Sequence, residues 1–203
     1  MQLYAGSTAD FVRDSVQHTV AEKLGESYYQ YFRYRASVSE FSSWQNSLAA
    51  LTTQLQYARL NDQGIALELK LPLTSARLDA LITGRDSNGS ERAVIVELKQ
   101  WTSVEKSDIE NTVLTHLGGR LREVPHPSNQ VGNYRMQLRD TNAAFHEGPT
   151  PVDLDACSWL HNLQDASRDI LRSNDYADVL AMAPLFTGHD ADSFRDFLQE
   201  RIG

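Results

Sequence analysis

Cysteine is nearly absent: the 203 residues hold one, Cys157. No internal disulfide is possible, and neither a Cys-x-x-Cys zinc site nor a disulfide framework can be assembled. A reducing compartment suits such a chain. Long apolar runs are also missing. The longest, Val179-Leu180-Ala181-Met182-Ala183, falls far short of the roughly 20 residues a membrane-spanning helix needs, so no membrane partner is expected. The opening Met1-Gln2-Leu3-Tyr4-Ala5-Gly6 has neither the basic nor the apolar stretch of a secretory signal, and the expectation is a cytoplasmic protein. Positive charge is the third shortage. Nineteen Lys and Arg against 27 Asp and Glu leave a net charge of −8, which disfavours coating nucleic acid by bulk attraction but leaves room for a local basic cleft. Internal repeats, low-complexity tracts and Pro/Gly/Ser linkers are absent too. With 41% hydrophobic and 23% charged residues, the chain reads as one compact domain over 1–203.

What is present divides into helical, then strand-like, then helical texture: N-terminal helices in 1–62, a sheet and core in 63–162, C-terminal helices in 163–203. Ser7-Thr8 are N-cap residues, and Val12, Val16, Val20 and Leu24 recur every four positions up to Gly25, predicting one amphipathic helix. A second helix begins around Ser37 to Ser39, buries Phe41, Trp44, Leu48, Leu51 and Leu55 as one stripe, and runs to about Leu60. After Gly64, Ile65, Leu67, Leu69 and Leu71 alternate with Ala66, Glu68 and Lys70, which predicts a half-buried strand. Ala76 to Thr83 reads as a second strand. Ala93-Val94-Ile95-Val96 is apolar on both faces, as a central strand would be. Asp86-Ser87-Asn88-Gly89-Ser90 between them signals a hairpin. A polar connection leads to a helix opening at Pro127-Ser128, then to a strand over Leu154–Leu160 and two or three C-terminal helices, the clearest over Ser193–Ile202. The order α-α-β-β-β-α-β-α predicts an α/β or α+β fold with a mixed sheet.

Phosphodiester chemistry needs carboxylates to hold a divalent cation and a cation or base to position water. Asp79 lies on the second strand, and Glu97-Leu98-Lys99 ends the third. Glu97 and Lys99 share a face because they are two residues apart on a strand. Asp79 joins them only if the hairpin opposes residues 79 and 97, which centres the turn on Asn88 and makes Ser87-Asn88-Gly89 a three-residue loop closed by Asp86 and Ser90. A two-residue Asn88-Gly89 turn would put the carboxylates on opposite faces. The same triplet also occurs as Glu68-Leu69-Lys70, and such a pattern is ordinarily a solvated strand face. The second copy stands out because it extends a strand apolar on both sides, where unpaired charge is costly. Gln130 and Tyr134, four apart on the later helix, share a face as well.

In this order, Asp79, Glu97-x-Lys99 and Gln130-x-x-x-Tyr134 resemble the PD-(D/E)xK nuclease superfamily and the QxxxY motif of its RecB-like branch. A wider resemblance, carried by Ser39-Glu40, Ser43-Trp44-x-Asn46-Ser47-Leu48, Arg77-Leu78-Asp79, Ala93 to Trp101, Leu121-Arg122-Glu123-Val124-x-His126-Pro127-Ser128-x-Gln130 and Leu160-His161-Asn162, is to the N-terminal domain of an uncharacterised bacterial family. There the domain precedes a helicase-like ATPase related to the Schlafen helicases. The resemblance implies a restriction-endonuclease-like fold and a Mg²⁺- or Mn²⁺-dependent DNA nuclease of anti-phage defence or repair, with RNA the weaker alternative, working with a helicase/ATPase domain or subunit. It implies that Asp79 and Glu97 bind the metal, that Lys99 orients or activates water, and that Gln130 and Tyr134 line the cleft. Glu40 would be a further ligand, or only an acid placed by the helix dipole. No GxxxxGK[ST] sequence occurs, so ATP chemistry has no support in these residues. A non-catalytic nucleic-acid-binding or docking domain of a helicase is the alternative.

Tyr28-Tyr29-Gln30-Tyr31-Phe32-Arg33-Tyr34-Arg35 has the composition of a stacking surface for single strands, though packing beneath the sheet is the preferred reading. Gly118-Gly119-Arg120-Leu121-Arg122 offers Arg120 and Arg122 as phosphate contacts, or is a flexible connection. His116, His126 and His161 match no zinc spacing, Cys157 reads as a core residue, and no GxSxG elbow supports hydrolase chemistry by serine.

Overall fold

A computed structural model describes residues 1–164 and 167–203. The elements are β1 (Tyr4–Ser7), α1 (Thr8–Val16), α2 (Val20–Phe32), α3 (Val38–Tyr57), β2 (Gly64–Lys70), β3 (Arg77–Arg85), β4 (Glu91–Lys99), β5 (Glu105–Lys106), β6 (Thr112–Leu117), β7 (Arg120–Pro125), α4 (Pro127–Thr141), β8 (Asp153–Leu160), α5 (Ser167–Leu171), α6 (Ala177–Met182), β9 (Leu185–Thr187) and α7 (Ala191–Ile202). Six strands form a mixed sheet in the order β1-β2-β3-β4-β8-β9. β1 to β4 pair antiparallel; β4 with β8 and β8 with β9 pair parallel.

β4 is the central strand that its apolar run predicts. Val94 and Val96 pack with Leu48, Leu51 and Leu55 of α3 and Phe194 and Leu198 of α7. Ala93 and Ile95, pointing the other way, pack with Val131 and Leu138 of α4. Cys157 on β8 is buried and unpaired, as expected of a core thiol. The β3–β4 register settles the parity question. Pairs run from Arg85 opposite Glu91 to Ala80 opposite Val96, the register that centres the turn on Asn88. Asp86 and Ser90 close the loop: Asp86 Oδ1 accepts the N–H of Asn88 and of Ser90, and Gly89 takes the positive φ (+79°) that glycine tolerates.

Several expectations are corrected. The first predicted helix is two, α1 and α2, broken at His18, whose backbone is left-handed (φ 58°). Val16 is exposed, and Phe11 is the buried hydrophobic residue of α1. Gly25 does not stop a helix; it sits inside α2, where the ring of Phe41 approaches within 3.6 Å of where a side chain would begin. The polar connection after β4 is a three-stranded sheet, β5-β6-β7, whose hairpin turn is Gly118-Gly119 with both residues at positive φ. The sheet is not confined to 63–162, since its edges β1 and β9 come from segments read as helical. Strands of four and three residues are too short to show an alternation.

Candidate active site

Glu97 and Lys99 stand at the C-terminal end of β4, and Lys99 Nζ donates to Glu97 Oε1 at 2.7 Å. α4 begins nearby because His126 caps it and Pro127 fills its first turn. The buried imidazole accepts the N–H of Ser128 at Nδ1, while Nε2 bonds the carbonyl of Leu171, which fixes a neutral ring. One turn on, Gln130 Nε2 donates to Glu97 Oε1 (2.6 Å) and to the Tyr134 hydroxyl (3.1 Å). The motif residues of two separate elements thus meet on one carboxylate oxygen. The other oxygen of Glu97, Oε2, is buried and has no hydrogen-bond partner among the described residues, on a side chain only 3% exposed.

Asp79 lies just beyond the last register pair, Ala80 opposite Val96, and beside a distortion that strand periodicity does not predict. Leu67 and Leu69, two residues apart, belong to cores on opposite faces of the sheet, and so do Ala80 and Leu78. Between them Glu68 takes a left-handed backbone (φ 52°), unusual for a non-glycine residue inside a strand. The pairs Leu67–Ala80 and Leu69–Leu78 remain in register, so both strands turn over together at Glu68 and Asp79. There Asp79 Oδ2 accepts the N–H of Leu98 at 2.7 Å, which places the carboxylate beside Glu97. Glu68 is the residue that the sequence reading missed. Taken as part of a solvated face, it is buried: its Oε1 accepts the indole N–H of Trp44 (2.7 Å) and its Oε2 meets Arg77 Nε (2.9 Å). Its only sequence signal was the repeated Glu-Leu-Lys triplet.

Glu40 lies in the first turn of α3, where Ser37 accepts its N–H, and its Oε1 is bound by the Arg77 guanidinium. Glu40, Glu68 and Asp79 line a cleft of about 270 Å³ with Ser37, Ser39, Ser43 and Ser47. A neighbouring cleft of about 630 Å³ is bounded by Asp79, Lys99 and Gln130 on one side and by His116, Leu117, Val124 and Pro125 of the small sheet on the other. Gln100 joins the elements that make these walls. Its side-chain amide donates to Ser43 Oγ and Ser47 Oγ, both at 2.9 Å, and its backbone carbonyl accepts from Asn162. Ser47 also meets the ring of half-buried His161 (3.3 Å).

Arg120 and Arg122 are exposed on β7, not on a flexible connection. Strand alternation puts them on one side of that hairpin. Of the aromatic run, Tyr28 and Phe32 pack together and against Trp44 or Tyr34, as the burial reading expects, while Tyr29 and Tyr31 are exposed.

The electrostatics of the group are those of crowded acids. Burial, then the neighbouring carboxylate of Glu97, pushes the carboxyl of Asp79 well above the ordinary range. Burial likewise raises Glu68 against the pull of Arg77 and Trp44. For Lys99 burial acts against the charge, but Glu97 and Asp79 outweigh it and the ammonium is held more firmly than in water. Among the described residues, no three His, Cys, Asp or Glu side chains are grouped closely enough to hold one ion. Asp79 and Glu97 alone suit a cation that takes one or two carboxylates and completes its shell with water and phosphate oxygens, as Mg²⁺ does. The unpartnered Oε2 of Glu97 is the atom such an ion would satisfy. No helix among the described residues is long and apolar enough to cross a membrane. The chain matches no protein-family model, no curated protein and no solved structure.

Proposed function

We propose that the chain is a Mg²⁺- or Mn²⁺-dependent nuclease of the PD-(D/E)xK kind, with a restriction-endonuclease-like core, that hydrolyses phosphodiester bonds in DNA. The observation that carries this reading is Glu97: one oxygen is held by Lys99 and Gln130, and the other is buried with no hydrogen-bond partner among the described residues. A buried carboxylate oxygen left unsatisfied costs about 1–3 kcal/mol or more, which a bound cation would remove. Asp79 and Glu97 would hold the ion, which supplies Lewis-acid polarisation of the phosphoryl oxygen and a more acidic bound water. Lys99, fixed by Glu97, presents a stable positive charge at the cleft for the attacking water and the developing phosphorane. Gln130 sets the rotamer of Glu97, and Tyr134 holds Gln130 in turn. The cleft between β4 and the β6–β7 hairpin is the path for the strand, with Arg120 and Arg122 as its outer phosphate contacts. The net charge of −8 favours a partner that supplies basic surface, such as a helicase-like ATPase.

The test is cleavage of labelled single- and double-stranded DNA with Mg²⁺ or Mn²⁺. Loss of at least 100-fold in both Asp79→Ala and Lys99→Ala is expected. Equal cleavage by wild type and both variants overturns the assignment, and DNA binding without cleavage by the wild type turns it into a docking domain.

A further inference from the structure

The acidic group divides in two. Glu97 pairs with Lys99 and Asp79 accepts the N–H of Leu98 beside it, whereas Glu40 and Glu68 pair with Arg77. Arg77 Nε lies 2.9 Å from Glu68 Oε2, and its Nη2 binds Glu40 Oε1. The other oxygen of Glu68 accepts the indole N–H of Trp44, so each oxygen of that carboxylate already has a fixed partner within the protein. The guanidinium is itself confined, 5.2 Å from the ring centre of Tyr28 and 5.8 Å from that of Phe32. A planar, permanently charged fork packed against aromatic rings is a fixed cation. Charge counting agrees. With all four carboxyls ionised, as a bound cation would require, Glu40, Glu68, Asp79 and Glu97 against Arg77 and Lys99 leave an excess of two negative charges, the charge of one divalent ion.

We propose that the Arg77 guanidinium occupies the place a second cation would take between Glu40 and Glu68, so that the site binds one divalent ion and neither glutamate ligates it. This rests on the metal-dependent reading above. It also reassigns Glu40, which the sequence resemblance makes a ligand, as a positioning residue. Glu40 and Glu68 hold Arg77, and through Glu68 the strand reversal that presents Asp79. Removing the guanidinium while keeping its bulk leaves an excess of three negative charges and frees oxygens on two facing carboxylates, which opens a second ion site.

Calorimetric titration with Mn²⁺ reads this without catalysis. The wild type is expected to bind one ion per chain and Arg77→Met two. Glu40→Gln in the otherwise intact chain is expected to leave the Mn²⁺ affinity within threefold of wild type, whereas Asp79→Asn weakens it by tenfold or more. Two ions in the wild type, the second lost in Glu40→Gln, overturn this proposal and leave the nuclease reading standing. No Mn²⁺ binding by the wild type overturns the metal-dependent reading and this proposal with it. A folded Arg77→Met that still binds one ion removes the stand-in role. Should Arg77→Met fail to fold, Glu40→Gln and Glu68→Gln decide the matter: both within threefold supports the proposal, and a tenfold loss in either overturns it.

Discussion

Single side chains carry most of the consequences at this site. Glu68 shows how one residue escapes a periodic reading: on pattern alone it faces solvent, yet its left-handed backbone turns it inward beneath Trp44 and Arg77. Such strain persists only where the surrounding structure over-determines it, and here it accompanies a functional candidate. His126 makes a separate prediction. Burial lowers its pKa to about 4, and the neutral ring is needed to accept from Ser128. Above pH 6.5 the imidazole is neutral in both folded and unfolded chains and costs nothing. As the pH falls from 6.5 to 4 the unfolded chain takes up a proton that the folded one refuses, so stability is lost, by roughly 3 kcal/mol at pH 4. Urea unfolding at pH 7 and pH 4.5 should show this drop in the wild type and a drop smaller by about 2–3 kcal/mol in His126→Asn, while the His126 ring protons keep their neutral NMR shifts to near pH 4.

At the scale of elements, the β3–β4 hairpin and α4 do the assembly. The three-residue turn sets the parity that puts Glu97 toward α4, and capping by His126 sets where α4 starts, hence where Gln130 and Tyr134 fall. α7 is locked to the far end of the same hairpin. A side chain at Gly84 would collide with the backbone carbonyl of Ile202, which cannot move without displacing the helix end. Gly84→Ala is therefore expected to lower stability by about 2 kcal/mol or more, with faster amide exchange along α7 than along α4. Uniform slow exchange in both helices would show that the contact relaxes cheaply.

For the whole molecule, charge decides how a substrate is held. With a net −8, few phosphates can be contacted at once, and β7, whose Val124 and Pro125 line the larger cleft, exposes Arg120 and Arg122. In an Asp79→Asn background, fluorescence anisotropy with a labelled oligonucleotide should give a salt dependence that flattens by about two units of slope in Arg120→Gln/Arg122→Gln. An unchanged slope would place the phosphate path elsewhere on the surface.

Much of this arrangement was legible in the residues. The apolar run of β4, the stripe of α3, the Asp86–Ser90 turn and the i, i+4 spacing of Gln130 and Tyr134 are local patterns, and local patterns report local geometry. They determined a mixed α/β fold, the central strand and the set Asp79, Glu97, Lys99, Gln130 and Tyr134 as candidates. The β6–β7 hairpin and the break at His18 are local features that the apolar pattern does not mark, whereas the short edge strands were not legible because β1 and β9 pair with segments distant in the chain rather than showing a periodicity of their own. The same holds for the site. That Glu68 points inward, that Arg77 rather than a third ligand meets Glu40, and that one oxygen of Glu97 is left buried and unpaired were decided by tertiary packing alone, since each depends on which charges the folded chain brings together out of water.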